Sequence, residues 1–209
     1  MKIAVVAANG KEGKLITQEA TNRGLDVTAI VRSANKSVAS KVIEKDLFDL
    51  TADDLKDFDV VVDAFGTWKP ETLHLHSESL AHLCDILSGS KTRLIVVGGA
   101  GSLYVDPEHK TRLVETPQFP AEARELSRAQ VKAFDELSKR DDVQWTFVSP
   151  AINFQPAGPR TGAYKLCGDE LTTDETGKSE ISYADFAVAI VDEAENARHI
   201  HQHISLRYE

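Results

Sequence analysis

The first 23 residues constrain the fold of this chain more than any other part of it. Residues 3–7 form an uninterrupted apolar run, which is typical of a strand that is covered on both faces. A short turn containing glycine follows, and residues 11–23 then place apolar side chains at helical spacing until Gly24. A strand, a tight turn and a helix in immediate succession are typical of the beginning of a dinucleotide-binding unit.

The turn reads Ala-Ala-Asn-Gly-Lys-Glu-Gly at residues 7–13. A dinucleotide fingerprint has one glycine in the tight turn, a second where the backbone meets the pyrophosphate and a third where the helix packs on the strand. Gly10 and Gly13 fill the last two positions, whereas Ala7 stands in the first, where alanine is tolerated if its φ angle stays negative. The alternative is an ordinary turn before a helix. The predicted phosphate-binding residues are Ala7, Asn9, Gly10, Lys11, Glu12 and Gly13.

The second strand, predicted over residues 27–31, ends in Arg32 and Ser33. A site that prefers NAD has an acidic residue here for the ribose 2′-hydroxyl, whereas an arginine accommodates the 2′-phosphate of NADP. The sequence therefore favours NADPH over NADH. The alternative is that these residues, with Lys36, form a solvated basic loop.

Strand-like and helix-like segments alternate along most of the chain, which predicts a doubly wound, mainly parallel α/β sheet in three layers. We expect one domain over residues 1–209. The predicted strands are 3–7, 27–31, 42–44, 60–62, 94–97, 145–148 and 204–206, and residues 181–194 begin as a strand and continue as a helix. The other predicted helices are 11–23, a brief one capped by Thr51, 70–87 and 120–140. The irregular stretches 98–119 and 150–178 follow strands, at the edge where ligands bind.

Charge and cysteine content exclude several function classes. A net charge of −9 with no basic cluster argues against nucleic acid as a partner. The two cysteines are too few for a disulfide framework and lack metal-ligand spacing, and we predict no metal site. The apolar start of the chain is too short for a signal peptide or a membrane span, so we expect a cytoplasmic protein that does not bind membranes, either a monomer or a homodimer.

Four further segments carry a family resemblance: residues 97–103 (VGGAGSL), 145–150 (WTFVSP), 158–162 (GPRTG) and 181–187 (ISYADFA). With the glycine turn, they resemble the atypical short-chain dehydrogenase/reductases with an NAD(P)-binding Rossmann fold. Within that family the chain is most similar to bacterial NADH-flavin reductase-like proteins and to biliverdin-IX-beta reductase, which also reduces flavin. The resemblance covers essentially the whole chain.

The resemblance implies further cofactor contacts at the ends of successive strands. Asp46 and Leu47 would flank the adenine. The residues expected along the ribose and diphosphate are Ala64, Phe65 and Gly66, and those on the nicotinamide side are Val97, Gly98, Gly99, Pro150, Ala151 and Ile152. Typical members also have a Tyr-x-x-x-Lys pair, in which the lysine lowers the pKa of the tyrosine for proton transfer. Here Lys132 is preceded by Arg128 in place of the tyrosine, so alcohol or sugar dehydrogenation is not expected.

These features predict an NAD(P)H-dependent reductase whose small-molecule acceptor is a flavin or a similar flat conjugated molecule. The alternative is a protein that binds NADPH and NADP without catalysis, as a sensor of their ratio. Ser102 and Tyr104 are the candidates for orienting the acceptor or donating a proton, unless they only cap and pack the loop. Arg160, Tyr164 and Trp68 are weaker candidates for contacts in the cleft. His199, His201 and His203 alternate along a predicted strand and are interpreted as a solvated edge.

Overall fold

The computed structural model describes residues 1–209, and strands and helices alternate along most of them. The strands are β1 (Lys2–Val6), β2 (Asp26–Val31), β3 (Lys41–Glu44), β4 (Val60–Asp63), β5 (Arg93–Val97), β6 (Gln144–Ser149), β7 (Asn153–Gln155), β8 (Lys165–Cys167), β9 (Glu180–Ser182) and β10 (Gln202–Arg207). The helices are α1 (Lys11–Asn22), α2 (Ala52–Leu55), α3 (Leu75–Leu87), α4 (Ala121–Leu137) and α5 (Tyr183–Asn196).

Eight strands form one sheet in the order β3-β2-β1-β4-β5-β6-β10-β8. All neighbours in it pair in parallel except β10 and β8, which are antiparallel. β7 and β9 form a separate parallel pair. The first six strands follow the 3-2-1-4-5-6 order of dinucleotide-binding folds, so the predicted doubly wound α/β class is confirmed.

Helices cover both faces of the sheet. α1 packs against α5 on one face, over a core cluster of 23 buried residues that includes Ile16, Ile181 and Phe186. α3 packs against α4 on the other face, over a second cluster of 19 buried residues that includes Leu83 and Phe134. The strands between them are therefore buried on both faces, which explains their continuous Val/Ile runs. None of the helices combines the length and the apolarity needed to cross a membrane.

Some predicted boundaries change in the structure. The helix predicted over 70–87 is divided into a 3-10 turn at Pro70–Thr72 and α3, and the helix predicted over 120–140 is shorter at both ends. Thr51 begins α2 as expected, with its backbone N–H and Oγ1 both donating to the Asp54 carboxylate at 2.9 and 2.8 Å. The stretch 98–119 contains two 3-10 turns, and 150–178 contains β7 and β8.

The interpretation of three histidines as a solvated edge is wrong for one of them. Only His203 lies within β10, where it is 9% exposed. His199 and His201 precede the strand, and a φ angle of 56° at His201 turns the chain so that the expected alternation is broken. No group of three or more His, Cys, Asp or Glu side chains comes together in an arrangement that could hold a metal ion.

Candidate functional site

The predicted cofactor residues lie at one edge of the sheet because they follow the carboxyl ends of parallel strands. The glycine turn follows β1, Arg32 follows β2 and Asp46 follows β3. Ala64, Val97 and Pro150 stand at or just after the ends of β4, β5 and β6, which are the next strands across the sheet. This edge therefore brings the phosphate, adenine and nicotinamide candidates into one row, with the reversal of strand order between β1 and β4 at its centre.

The turn after β1 differs from the sequence expectation in its backbone. Ala7 has a φ angle of 57°, so it adopts the left-handed conformation that the first glycine of a fingerprint supplies. The condition of a negative φ at Ala7 is therefore not met, because the chain reverses here and the Gly10 N–H donates to the Ala7 carbonyl oxygen at 2.8 Å. At Gly13, a Cβ would lie 2.5 Å from the same carbonyl oxygen, so only glycine allows α1 to approach the turn this closely.

The N-terminus of α1 is uncapped. Gly10 is its N-cap residue, has no side chain to accept a hydrogen bond, and accepts the Lys14 N–H at 3.0 Å through its carbonyl. The N–H groups of Lys11, Glu12 and Gly13 have no hydrogen-bond partner in the protein. Three free donors at the positive end of a helix dipole fit an anion, and the diphosphate of a dinucleotide is such a group.

The loop after β2 is tied to this turn by Asn9. Its Nδ2 donates to the Ala34 carbonyl at 3.0 Å, and its Oδ1 accepts the Lys36 N–H at 2.6 Å. Arg32 and Ser33 are exposed on the same loop. The Arg32 guanidinium makes no hydrogen bond or ion pair within the chain, so it is free to bind an anion beside the turn.

The segments after β3 and β4 hold the next candidates. Asp46 accepts the Phe48 N–H at 3.0 Å and so begins a 3-10 turn, and Leu47 is buried in that turn. After β4, Ala64 and Phe65 are half-buried, and Gly66 is exposed.

The segment after Gly66 holds an exposed indole in place. The indole of Trp68 lies over Gly66, where a Cβ would be 3.3 Å from the ring, and the residue is 71% exposed. The His76 ring donates to the Thr67 carbonyl at 3.0 Å from α3 when Nε2 carries the proton. The indole is therefore exposed to solvent on a segment that is anchored to α3 at Thr67.

A small crevice opens between α3 and α4 below this edge. Its polar lining includes Asp63, His76 and Gln130, and its apolar lining includes Gly98 and Phe147. Asp63 is buried at the end of β4, accepts the Phe65 N–H at 3.0 Å, and has its pKa raised to about 6 by burial. Burial lowers the pKa of His76, which therefore stays neutral near pH 7.

The face of α4 that meets the glycine turn after β5 carries no acid–base pair. Gln130 packs directly against Gly99, and Ser127 packs directly against Gly101. Arg128 and Lys132 lie on the outer face of the helix. The Lys132 side chain is 71% exposed, and its Nζ lies 3.9 Å from the Glu136 Oε1. Arg128 and Lys132, which stand at the positions of the Tyr-x-x-x-Lys pair, are thus both exposed in this helix.

Ser102 lies beneath the same turn rather than in the open cleft. Its Oγ donates to the Gly99 carbonyl at 2.8 Å and is 3.0 Å from the Ser149 Oγ. The Ser149 Oγ is in turn 2.8 Å from the His203 Nε2. Burial, with a smaller contribution from the Arg112 charge, lowers the pKa of His203 to about 3. This neutral cluster ties β6 and β10 to the turn after β5.

Tyr104 is half-buried in the first long loop. Its ring stacks on that of His109, with centroids 4.5 Å apart, and the Arg112 guanidinium lies 5.3 Å from its centroid. Arg112 also donates to the Tyr104 hydroxyl at 3.4 Å and to Asp135 of α4 at 2.7 Å. The tyrosine is thus anchored to α4 through one arginine.

The candidates after β6 divide into buried and exposed groups. Pro150 and Ala151 are buried, whereas Ile152 is 53% exposed. Arg160 makes a bidentate ion pair with Glu19 of α1, with both distances 2.9 Å, and Tyr164 donates to Asp192 of α5 at 2.6 Å. The last two side chains therefore have partners in the scaffold.

Four polar residues of this region were not predicted from the sequence as site residues: Asp63, His76, Gln130 and Ser149. One signal was available, because Asp63 ends an otherwise all-valine strand and a carboxylate is rarely buried without a partner. The other three depend on which face of a helix or strand meets the glycine turns, and that becomes visible only in the packed structure.

The chain is similar over its whole length to known proteins. The sequence profile of a family described as NAD(P)H-binding matches residues 7–197. The uncharacterised protein YwnB of Bacillus subtilis (strain 168) is 48% identical over 202 residues, which are 95% of this chain and 94% of YwnB. A crystal structure from Streptococcus pneumoniae TIGR4, described as a putative NADH-flavin reductase, has 53% identity, a TM-score of 0.98 and complete coverage of both chains. A structure from Bacteroides thetaiotaomicron, described as a putative epimerase, has 32% identity and a TM-score of 0.87, covering 99% of this chain and 96% of that one.

Proposed function

Because the chain belongs to the NAD(P)H-binding family, we propose that it is an NAD(P)H-dependent oxidoreductase that reduces flavin or a similar flat conjugated acceptor. The cofactor, when bound, supplies the hydride. The S. pneumoniae relative, which is 53% identical, is described as a putative NADH-flavin reductase, and this supports the acceptor class.

The observation that carries the proposal is a combination of two features. The backbone amides at the start of α1 are free to bind phosphate, and the face of α4 that meets the turn after β5 holds no acid–base pair. The amides of Lys11, Glu12 and Gly13 are free for a diphosphate, whereas α4 turns Ser127 and Gln130 toward the glycine turn after β5. Alcohol oxidation or sugar epimerisation needs a proton-transfer pair in that position. Reduction of a conjugated ring mainly needs two rings to be held face to face, because positioning supplies most of the rate.

The proposal gives each part of the edge a role. Arg32 receives the 2′-phosphate and favours NADPH, and the turn at Gly98 and Gly99 lies along the nicotinamide. Tyr104 orients the acceptor from the loop after β5. Ser102 acts from beneath, by holding the Gly99 carbonyl at 2.8 Å.

The test is oxidation of NADPH and of NADH in the presence of flavins, quinones and tetrapyrroles, with cofactor binding measured separately by calorimetry. We expect turnover with at least one flavin. Gly13→Ala should lose most cofactor binding, because its Cβ would lie 2.5 Å from the Ala7 carbonyl oxygen. Gly168→Ala is the matched control, since nothing lies within 4 Å of a Cβ there, and it should behave as wild type.

Two results would contradict the proposal in different ways. Tight binding of NADPH without turnover on any acceptor would favour a non-catalytic sensor of the NADPH/NADP ratio. Absence of binding for both cofactors would exclude both functions.

A further inference from the structure

Glu12, at the start of α1, is a buried carboxyl group without a partner. The residue is 8% exposed, and neither of its side-chain oxygens has a hydrogen-bond partner. Glu19 on the same helix gives a contrast, because it is equally buried but receives hydrogen bonds from Arg23 and Arg160. An unpaired charge at the position of Glu12 would be strongly disfavoured, since burial removes its hydration without compensation.

The surroundings of Glu12 supply no positive side chain. α1 packs against α5, and the titratable group that faces Glu12 from α5 is Tyr183, whose ring stacks on Phe154 of β7 at 3.9 Å. Asp185, also on α5, is held by the Thr161 and Gly162 amides and by the Tyr208 hydroxyl. Burial alone raises the pKa of Glu12 well above its usual range, so the group keeps its proton to a higher pH than an exposed glutamate does.

The position of Glu12 makes this proton relevant to ligand binding. The residue lies between Lys11 and Gly13 in the first helical turn, whose free amides form the candidate diphosphate site. A negative charge on Glu12 would add to the charge of the phosphates in a region shielded from water. A neutral carboxyl group leaves the positive helix end available to the ligand.

We propose that Glu12 is a proton-binding part of the dinucleotide site. The cofactor binds while the Glu12 carboxyl group is neutral, and its binding is weakened when that group ionises. This inference rests on the proposed function in one respect, namely that the diphosphate binds at α1. The bound protein then holds the Glu12 proton more tightly than the free protein does. Affinity is therefore highest where free Glu12 is protonated, and it falls by up to about tenfold per pH unit above that range.

The experiment is calorimetric titration of NADH between about pH 6 and pH 9, a range that lies above the ordinary carboxyl pKa. NADH is chosen because it lacks the 2′-phosphate, whose own ionisation would overlap. Titration in two buffers of different ionisation enthalpy gives the number of protons taken up. We expect fractional proton uptake and falling affinity for the wild type as pH rises.

Glu12→Gln replaces the carboxyl group by a neutral group of the same shape, and its affinity should be nearly independent of pH and close to the highest wild-type value. Glu125→Gln removes an exposed carboxylate from α4 and should keep the wild-type profile. If Glu12→Gln fails to fold, proton uptake is measured in Asp63→Asn, because uptake that persists in this variant does not come from the other buried carboxyl group with a raised pKa near this edge.

Failure of this inference is distinguishable from failure of the proposed function. NADH binding with no proton uptake and a flat pH profile in the wild type would overturn the role of Glu12 alone. An unchanged pH dependence in Glu12→Gln would do the same. Absence of dinucleotide binding at every pH would overturn the proposed function and this inference together.

Discussion

Ala7 adopts a left-handed backbone conformation that residues other than glycine rarely adopt. At a φ angle of 57° its Cβ crowds its own backbone, and the turn persists because β1, α1 and the Gly10 N–H all fix it. The strain is local and comes from one methyl group. The residue is therefore a position at which a single substitution should stabilise the protein.

We predict that Ala7→Gly raises the free energy of unfolding by about 1 kcal/mol, because glycine adopts this φ without the Cβ clash. For a chain of this size the melting temperature should rise by about 2–4 °C. Ala8→Gly is the matched control, since Ala8 is fully buried without a positive φ, and its loss of packing should lower stability. A lower melting temperature for Ala7→Gly would mean that the methyl group is needed for packing.

Arg32 decides cofactor choice if its free guanidinium pairs with a 2′-phosphate. We expect Arg32→Ala to weaken NADPH binding by about ten- to hundredfold, the effect of one charge-assisted contact, and to leave NADH binding nearly unchanged. The loss should shrink as salt concentration rises, because the side chain is exposed.

Calorimetric titration of both cofactors measures this difference, and Lys139→Ala, which removes an exposed charge beyond the end of α4, controls for net charge. Equal losses for NADPH and NADH would show that Arg32 contacts a group common to both, and the NADPH preference would then be abandoned.

At the scale of elements, β4 ends in a carboxylate that the fold buries. The pKa of Asp63 is raised from 3.8 to about 6 by desolvation, and only the Phe65 N–H opposes the shift. Because the folded-state pKa is raised, the contribution of Asp63 to stability is complete below the unfolded-state value and is lost as pH rises through about 6.

We predict that Asp63→Asn stabilises the protein by up to about 3 kcal/mol at neutral pH and by little near pH 4, since the amide has no proton to lose. Its side-chain oxygen can still accept the Phe65 N–H. Urea denaturation at the two pH values measures the difference, and the exposed Asp57→Asn serves as the control. Equal effects of Asp63→Asn at both values would contradict the prediction.

The elements also show what the sequence could and could not predict. Runs such as Val60–Val62 predicted their strands because a strand covered on both faces must be apolar throughout. β7 and β8 have three residues each, too few for a periodicity, and they exist because β9 and β10 supply their pairing partners. The burial of His203 has the same origin, since the Ser149 hydroxyl that it contacts comes from β6, the neighbouring strand in the sheet.

At the scale of the whole molecule, the strand order fixes where the candidate site lies. Predicting a doubly wound, mainly parallel sheet with the glycine turn after its first strand was enough to bring the predicted cofactor residues to one edge of the sheet. The polar lining of the crevice between α3 and α4 was not predictable in this way. It depends on the packing of side chains such as Gln130 against a glycine turn from a different part of the chain.

The position of β10 has a consequence for how the protein is made. β10 is the last strand of the chain but lies between β6 and β8 in the sheet. The strands from β1 to β6 can assemble while synthesis continues, whereas β8 finds its partner only after residues 202–207 have left the ribosome. Until then β6 and β8 both present unpaired backbone groups. A nascent chain stalled before this point therefore exposes two strand edges that can form hydrogen bonds with other chains and aggregate.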